Sequence, residues 1–291
     1  MKKTSMEIII VTYNSQFWLK KTLSSLQENY LKNAQNTITV TVVDNNSSDD
    51  TLKMLSKEFK WIDKVIELEQ NHGFAYANNR ALEESSAEYV MLLNSDVEFT
   101  QWSNLDILLS FMQHKPSCGA ISPRLEFTTG TIDPACHRGD PTLWASVSYF
   151  SGLETLFPQS KLFSGYHQYY KDLESIHTID ACSGAAMIVR RSALETVGLL
   201  DEQFFMYAED LDWCKRFWEA GYEVVFHPEV VLIHHKNKSG IKSSSQKLAK
   251  KTRTYFYDTM LQYYDKHYRK SYPEFVRTLV KVIITMKKGA V

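Results

Sequence analysis

Three apolar, β-branched runs in the first hundred residues, at 8–12, 37–43 and 89–93, break off into polar clusters: Thr12-Tyr13-Asn14, Asp44-Asn45-Asn46 and Asn94-Ser95-Asp96. Runs without an alternating polar face belong to strands covered on both sides, the mark of a parallel sheet. The segments between them have helical period. After Asn14 or Ser15 as a cap, Leu19, Leu23 and Leu26 fall at i, i+4, i+7 on one stripe. A short helix after Ser48, a strand at 64–68 and a helix at 74–84 continue the βαβ pattern of an α/β domain. Parallel strands share one C-terminal edge, where ligands of such sheets bind, and all three polar clusters fall there. Asn, Asp and Ser are also ordinary turn residues, so spacing alone leaves both readings open.

The second half is less regular. Residues 137–177 are rich in aromatics (Trp144, Tyr149, Phe150, Phe157, Phe163, Tyr166, Tyr169, Tyr170) and read as an insertion that shapes a binding surface, or as a helical hairpin packing a satellite core. A strand at 186–189, a helix from Ser192, a helix at 209–220 stopped by Gly221, and strands at 223–226 and 230–233 follow, the last delivering His234-His235. With 44% hydrophobic and 23% charged residues in 291, disorder and rod-like repeats are disfavoured. The formal net charge of −1 argues against a nucleic-acid partner. That sum conceals a split: from Lys242 onward twelve Lys/Arg face three acids, so 242–291 carries +9 and 1–241 carries −10. A basic, helical C-terminal extension of this kind suits an anionic surface. Within it Val276, Leu279, Val280 and Ile283 keep amphipathic spacing beside Arg277, Lys281, Lys287 and Lys288. Four scattered cysteines without a CxxC pair read as reduced thiols. Neither a signal peptide nor a membrane span is expected, which points to a cytoplasmic protein.

Two acids stand out chemically. Asp210 shares a helix face with Trp213, Cys214 and Phe217, an apolar stripe where a carboxylate needs a partner or a role. Asp96, at a strand end, can bind a divalent cation through oxygen, with a histidine from a later strand completing the shell.

Taken together, Thr12-Tyr13-Asn14, Val43-Asp44-Asn45-Asn46-Ser47-Ser48-Asp49, Asn71-His72-Gly73-Phe74-Ala75 with Asn78, and Leu93-Asn94-Ser95-Asp96 resemble the donor-site motifs of inverting family 2 glycosyltransferases. Cys182-Ser183-Gly184-Ala185-Ala186-Met187, the run from Gly198 to Met206, Glu209-Asp210-Leu211-Asp212-Trp213-Cys214 and His234-His235 resemble the acceptor-side motifs of its rhamnosyltransferase-like branch.

The resemblance implies a GT-A fold, a Rossmann-like mixed sheet flanked by helices, over 1–241, with a nucleotide-sugar half at 1–100 and an acceptor half at 101–241. It assigns Thr12, Tyr13, Asn14, Asp44, Asn71, Gly73, Phe74, Asn78, Asn94, Ser95 and Asp96 to the donor, with Asp44 accepting from the base N–H. It assigns Ser183, Gly184, Glu209, Asp212 and Trp213 to the acceptor, Asp96 and His234 to Mg²⁺ or Mn²⁺, and Asp210 to general-base catalysis. His234 is preferred to His235 because it directly follows a strand, and the lysines of 236–238 are candidates for the diphosphate. Asn94 stands where many relatives have Asp, so the site has one negative ligand fewer. The expected activity is inverting transfer from a deoxythymidine or uridine diphosphate sugar, rhamnose first, to a glycan or lipid-linked glycan at the inner membrane face, with a homodimer compatible. Galactofuranosyl, glucosyl or N-acetylhexosaminyl transfer is the alternative within the class. A catalytically silent nucleotide-sugar-binding subunit is the alternative outside it. A dinucleotide dehydrogenase is disfavoured, since no GxGxxG follows the first strand.

Overall fold

The computed structural model describes residues 3–235 and 246–289. Its amino-terminal part follows the βαβ expectation: β1 (Ser5–Thr12), α1 (Gln16–Asn29), β2 (Thr37–Asp44), α2 (Thr51–Glu58), β3 (Lys64–Glu67), α3 (Phe74–Glu84) and β4 (Tyr89–Asn94). Ile8, Ile9 and Ile10 are fully buried, as a strand covered on both faces requires. Leu19, Leu23 and Leu26 bury the α1 stripe against that sheet.

Several elements are absent from the periodicity reading. After a tight turn at Ser95-Asp96 come β5 (Val97–Phe99), α4 (Leu105–His114) and β6 (Cys118–Glu126). Residues 137–177 form short helices α5 (Leu143–Ser151) and α6 (Leu153–Leu156), then β7 (His177–Ile179). The chain continues through β8 (Ala186–Arg190), α7 (Arg191–Val197), α8 (Glu209–Glu219) and β9 (Glu223–His234). The two strands expected at 223–226 and 230–233 are one, because β9 runs unbroken past Pro228 and absorbs the irregularity as a register shift against β6.

One nine-stranded mixed sheet has the order β3-β2-β1-β4-β8-β6-β9-β5, with β7 also on β9. β1 through β4 are mutually parallel, whereas β8 is antiparallel to both β4 and β6. The order turns back at β1 and β4, a topological switch point where the loops after the strands part and open a crevice. Register places Thr12 beside Asp44 and Val11 beside Asn94, so the three polar clusters stand in one row. Because β8 starts opposite Leu93, the 183–185 turn joins the same edge. β5 and β9 pair antiparallel with Val97 opposite His234, which carries the end of β9 back beside Asp96.

Helices α9 (Gln246–His267) and α10 (Glu274–Gly289) form an antiparallel pair, joined by Arg277 to Asp265 at 2.6 Å and Lys288 to Asp258 at 2.6 Å. The extension is no free appendage: Tyr263 belongs to the main core. On α10 the outward face is Phe275, Leu279, Val282, Ile283 and Met286, whereas Val276 and Val280 are half-buried, because Arg277 and Ile284 turn toward α9. All four cysteines are free and buried.

Candidate active site

At the end of β1 and β2, Thr12 and Asp44 are each 1% exposed. Asp44 Oδ2 accepts the Ser47 N–H at 2.9 Å, but Asp44 Oδ1 and Thr12 Oγ1 have no partner. An unpaired buried polar atom costs about 1–3 kcal/mol, and two such atoms side by side at the ligand edge of the sheet call for an outside partner. Asn14 does not cap α1. With φ 48° in the left-handed region, which Asn tolerates, it bridges two loops: its N–H donates to Ser47 Oγ at 2.9 Å and its Oδ1 accepts the Ser48 N–H at 2.7 Å. Ser15 makes no side-chain cap either, and Asp49 accepts the Gln16 N–H at 3.2 Å. Tyr13 stands half-exposed at the rim.

Asn45, unassigned by sequence reasoning, organises the next loop. Its amide donates to Asn71 Oδ1 and the Gly73 carbonyl, both at 3.1 Å, and accepts the His72 N–H at 3.1 Å. Gly73 has φ 91°, and a Cβ there would lie 2.2 Å from the Phe205 carbonyl oxygen, so the position needs glycine. The Phe74 N–H donates to that same carbonyl at 2.9 Å. The Phe74 ring lies against Gly184, where a Cβ would approach it to 3.0 Å. Donor-side and acceptor-side motifs therefore touch. Asn78 is buried and spends its amide on the Phe74 carbonyl at 2.9 Å, fixing the first turn of α3.

The turn after β4 is tied down by Ser95, whose carbonyl accepts from Thr22 at 2.9 Å and whose hydroxyl donates to Ser15 at 3.2 Å, while the Asn94 N–H donates to the Ala185 carbonyl at 2.9 Å. Asp96 Oδ1 then lies 3.4 Å from His234 Nε2, and His234 Nδ1 is 2.8 Å from Asp133 Oδ2. His235 turns elsewhere, to Glu98 Oε2 at 2.7 Å and the Trp18 ring at 4.8 Å. Asp133 sits in a loop without periodicity, and nothing in the sequence marks it. Burial disfavours a charged ring at His234, yet the hydrogen bonds and charges of Asp133 and Asp96 outweigh it and raise the group to about 8. This spot therefore favours positive charge. Among the described residues no group of three or more His, Cys, Asp or Glu is placed to hold an ion. Asp96 and His234 supply one oxygen and one nitrogen, which suits Mg²⁺ or Mn²⁺ that takes its other ligands from phosphate and water. The lysines of 236–238 lie outside the described residues.

α8 starts after two left-handed residues, Tyr207 (φ 72°) and Ala208 (φ 65°), a costly conformation for residues with a Cβ. Asp210 Oδ2 accepts from Arg138 Nη2 at 2.7 Å and from the Gly184 N–H at 3.2 Å, and Oδ1 accepts the Leu211 N–H at 2.8 Å. Glu209 beside it is 6% exposed with Oε2 unpartnered. Burial, and then the Asp210 charge, push Glu209 up to about 8, so it keeps its proton at neutral pH. Ser183 accepts the Ala185 N–H at 3.2 Å and shapes the turn that presents Gly184. Two residues expected on the acceptor side turn inward. Asp212 is fully buried and held by Arg216 at 2.9 Å, His267 at 2.8 Å and Lys266 at 2.5 Å, two of them from α9. Trp213 is fully buried in the core and donates its N–H to the Gly198 carbonyl at 2.9 Å.

The profile described as Glycosyl transferase family 2 matches residues 7–198. The chain is 26% identical over 254 residues to an N-acetylglucosaminyl-diphospho-decaprenol L-rhamnosyltransferase of Mycobacterium tuberculosis, covering 83% of this chain and 80% of that one. It is 28% identical over 247 residues to the rhamnosyltransferase WbbL of Escherichia coli, covering 80% and 85%. Among solved structures, the mannosyltransferase PcManGT of Pyrobaculum calidifontis, in complex with GDP-Man and Mn²⁺, superposes with TM-score 0.62 at 17% identity, covering 98% of this chain and 70% of that one, a likeness of fold. The mixed sheet is thus that of GT-A glycosyltransferases, and the extent of the profile match means that this chain belongs to glycosyl transferase family 2 and is a transferase enzyme.

Proposed function

We propose that the protein transfers a sugar from a nucleoside diphosphate sugar, with rhamnose from its deoxythymidine diphosphate form as the leading donor, to a hydroxyl of a glycan or lipid-linked glycan with inversion. The observation that carries this reading is the pair of orphaned atoms, Thr12 Oγ1 and Asp44 Oδ1, in register on the ligand edge of the sheet. A nucleobase N–H donor satisfies Asp44 there, and the loop of Asn71, Gly73 and Phe74 closes beside it. The names of the two rhamnosyltransferase relatives support the donor sugar, and that of the Mycobacterium tuberculosis relative supports a lipid-linked acceptor.

Asp96 and His234 would hold Mg²⁺ or Mn²⁺, which would supply Lewis-acid neutralisation of the charge on the departing diphosphate. Asp133 orients the His234 ring from behind through Nδ1. Asp210 takes the proton of the acceptor hydroxyl as that oxygen bonds to the anomeric carbon. The carbon–oxygen bond to the diphosphate breaks with its electron pair leaving on the diphosphate, so one displacement inverts the centre. A positioned base of this kind contributes about 10²–10⁴-fold.

We also read 1–241 as the GT-A domain and 242–291 as a basic extension that docks peripherally on an anionic membrane. The boundary between the two lies outside the described residues. Support comes from the outward apolar stripe Phe275, Leu279, Val282, Ile283 and Met286 beside Lys281 and Lys287. Among the described residues no helix is long and apolar enough to cross a membrane. Vesicle flotation checks the docking: binding to anionic and not neutral vesicles is expected, and equal or absent binding to both refutes it. The activity is checked by nucleoside diphosphate release from a panel of activated sugars, for wild type and Asp210→Asn, with and without Mn²⁺. Release dependent on Asp210 is expected; tight donor binding without turnover on any acceptor would favour a silent binding subunit.

A further inference from the structure

Arg138 lies in the aromatic-rich stretch 137–177, and no motif marks it. Its side chain is only 11% exposed, and its Nη2 donates both to Asp210 Oδ2 at 2.7 Å and to the Cys182 carbonyl at 3.0 Å. A buried guanidinium is costly unless its charge is met, and Asp210, 72 residues away, meets it. The backbone that carries Arg138 is itself clamped. Arg138 and Ala181 exchange both backbone hydrogen bonds at 2.9 Å, and the Gly139 N–H donates to the Tyr166 carbonyl at 2.7 Å. Gly139 packs so closely on Gly165 that a Cβ would fall 1.9 Å from its carbonyl oxygen. Next along the chain, Asp140 accepts from Lys215 at 2.6 Å, from Tyr263 at 2.9 Å and from Tyr268. α8 and α9 therefore both brace the loop.

We propose that Arg138 is the positioning residue for the general base: its charged hydrogen bond fixes the Asp210 carboxylate in place. This rests on the reading of Asp210 as the base. Two adjacent buried acids cannot both ionise cheaply, and only Asp210 has the guanidinium. Glu209, whose Oε2 has no partner, keeps its proton. Its carboxyl O–H is then a donor beside the base, suited to an oxygen of the incoming acceptor. The Arg138 bond and the Gly184 N–H meet the same carboxylate oxygen and leave the plane of the carboxylate little freedom. In this reading Arg138 acts on the reaction through Asp210, the group its side chain holds.

The test compares Arg138→Ala, Arg138→Lys and Asp210→Asn in the full chain. Arg138→Ala is expected to lower kcat about 10²-fold, the scale of a base displaced by about 1 Å, while nucleoside diphosphate affinity measured by calorimetry stays at the wild-type value. Added guanidinium or methylguanidinium at non-denaturing concentration should restore part of kcat in Arg138→Ala and none in Asp210→Asn. Arg138→Lys keeps the charge but not the length and planar geometry that bring Nη2 to both Asp210 and the Cys182 carbonyl, and should fall between the alanine variant and wild type. If Asp210→Asn turns over near the wild-type rate, the base reading itself fails. If Asp210→Asn is inactive but Arg138→Ala keeps wild-type kcat, or loses kcat and donor affinity together without rescue, the inference about Arg138 is overturned alone. Should the alanine variant not fold, Arg138→Lys at wild-type kcat overturns it as well.

Discussion

Two acidic centres of this protein use the same residue types to opposite electrostatic effect. Around His234, Asp96 and Asp133 surround one imidazole, and the acids outweigh burial strongly enough to raise that ring to about 8. Around Asp210, the second carboxylate belongs to a neighbour that keeps its proton, and a permanent guanidinium supplies the positive charge. The first arrangement carries more negative than positive charge, which is what the proposed divalent cation would offset. The second is locally balanced by the Arg138 guanidinium. What separates the two centres is the partner each fold element brings, a titratable histidine from β9 or a fixed arginine from the 137–177 stretch.

The largest expected effect tests the second centre. Asp210→Asn keeps shape and removes the basic oxygen, so kcat should fall about 10²–10⁴-fold with nucleoside diphosphate affinity unchanged, measured by product release and calorimetry. Asp212, two residues on, is the contrast, because its partners are structural. Asp212→Ala leaves Arg216, Lys266 and His267 without their acceptor and should cost about 3 kcal/mol in urea unfolding, with turnover per folded molecule near wild type. A large loss of turnover instead would draw Asp212 into the acceptor site. Burial works against Asp212 ionisation, but His267, Lys266 and Arg216 together hold its carboxyl below the usual range. Its stabilisation is therefore complete above the ordinary aspartate value, about 3.9, and is lost as pH falls through the lower folded value.

At the first centre, Asp133→Asn should weaken Mn²⁺ binding about 10–100-fold, the usual cost of losing an outer partner of a ligating histidine, and leave metal-free nucleotide binding alone. Titration of Mn²⁺ against nucleoside diphosphate affinity checks this, and unaltered Mn²⁺ affinity would break the contrast between the centres. The remaining effect, read in stability and not in turnover, belongs to Glu209. Its folded value, raised to about 8, exceeds the ordinary glutamate value, about 4.3. The folded state thus holds a proton that the unfolded state releases, so this contribution is fully present below the ordinary value and is lost as pH rises through the folded one. Glu209→Gln should flatten the decline of Tm across that window, and an unchanged slope would place the proton elsewhere.

Particular residues show why parts of the candidate site were legible. Thr12, Asp44 and Asn94 end runs of apolar residues, and in a parallel sheet a strand end is a position in space as well as in sequence. Asp210 was visible because an acid interrupted a helical apolar stripe, and His234 because it followed a strand. Arg138, Asp133 and Asn45 had no such marker. The first two lie in loops without period, and Asn45 resembled a turn residue. The inward direction of Asp212 and Trp213 was not legible, because proximity along α8 says nothing about radial direction, and the partners Lys266 and His267 lie more than fifty residues downstream. Asn14 looked like a cap, yet its left-handed backbone turned its amide toward Ser48.

By itself the sequence determined the α/β class, the parallel half of the sheet, the strand ends that gather ligands and the identities of the acids, because these follow from period, burial of apolar runs and side-chain chemistry. Only the tertiary structure decided which acid meets which cation, that β5 returns β9 to Asp96, and that the basic extension braces the loop carrying Arg138. Those pairings join residues tens of positions apart, and their strength depends on burial and on separations of a few ångströms, quantities that a linear pattern does not contain.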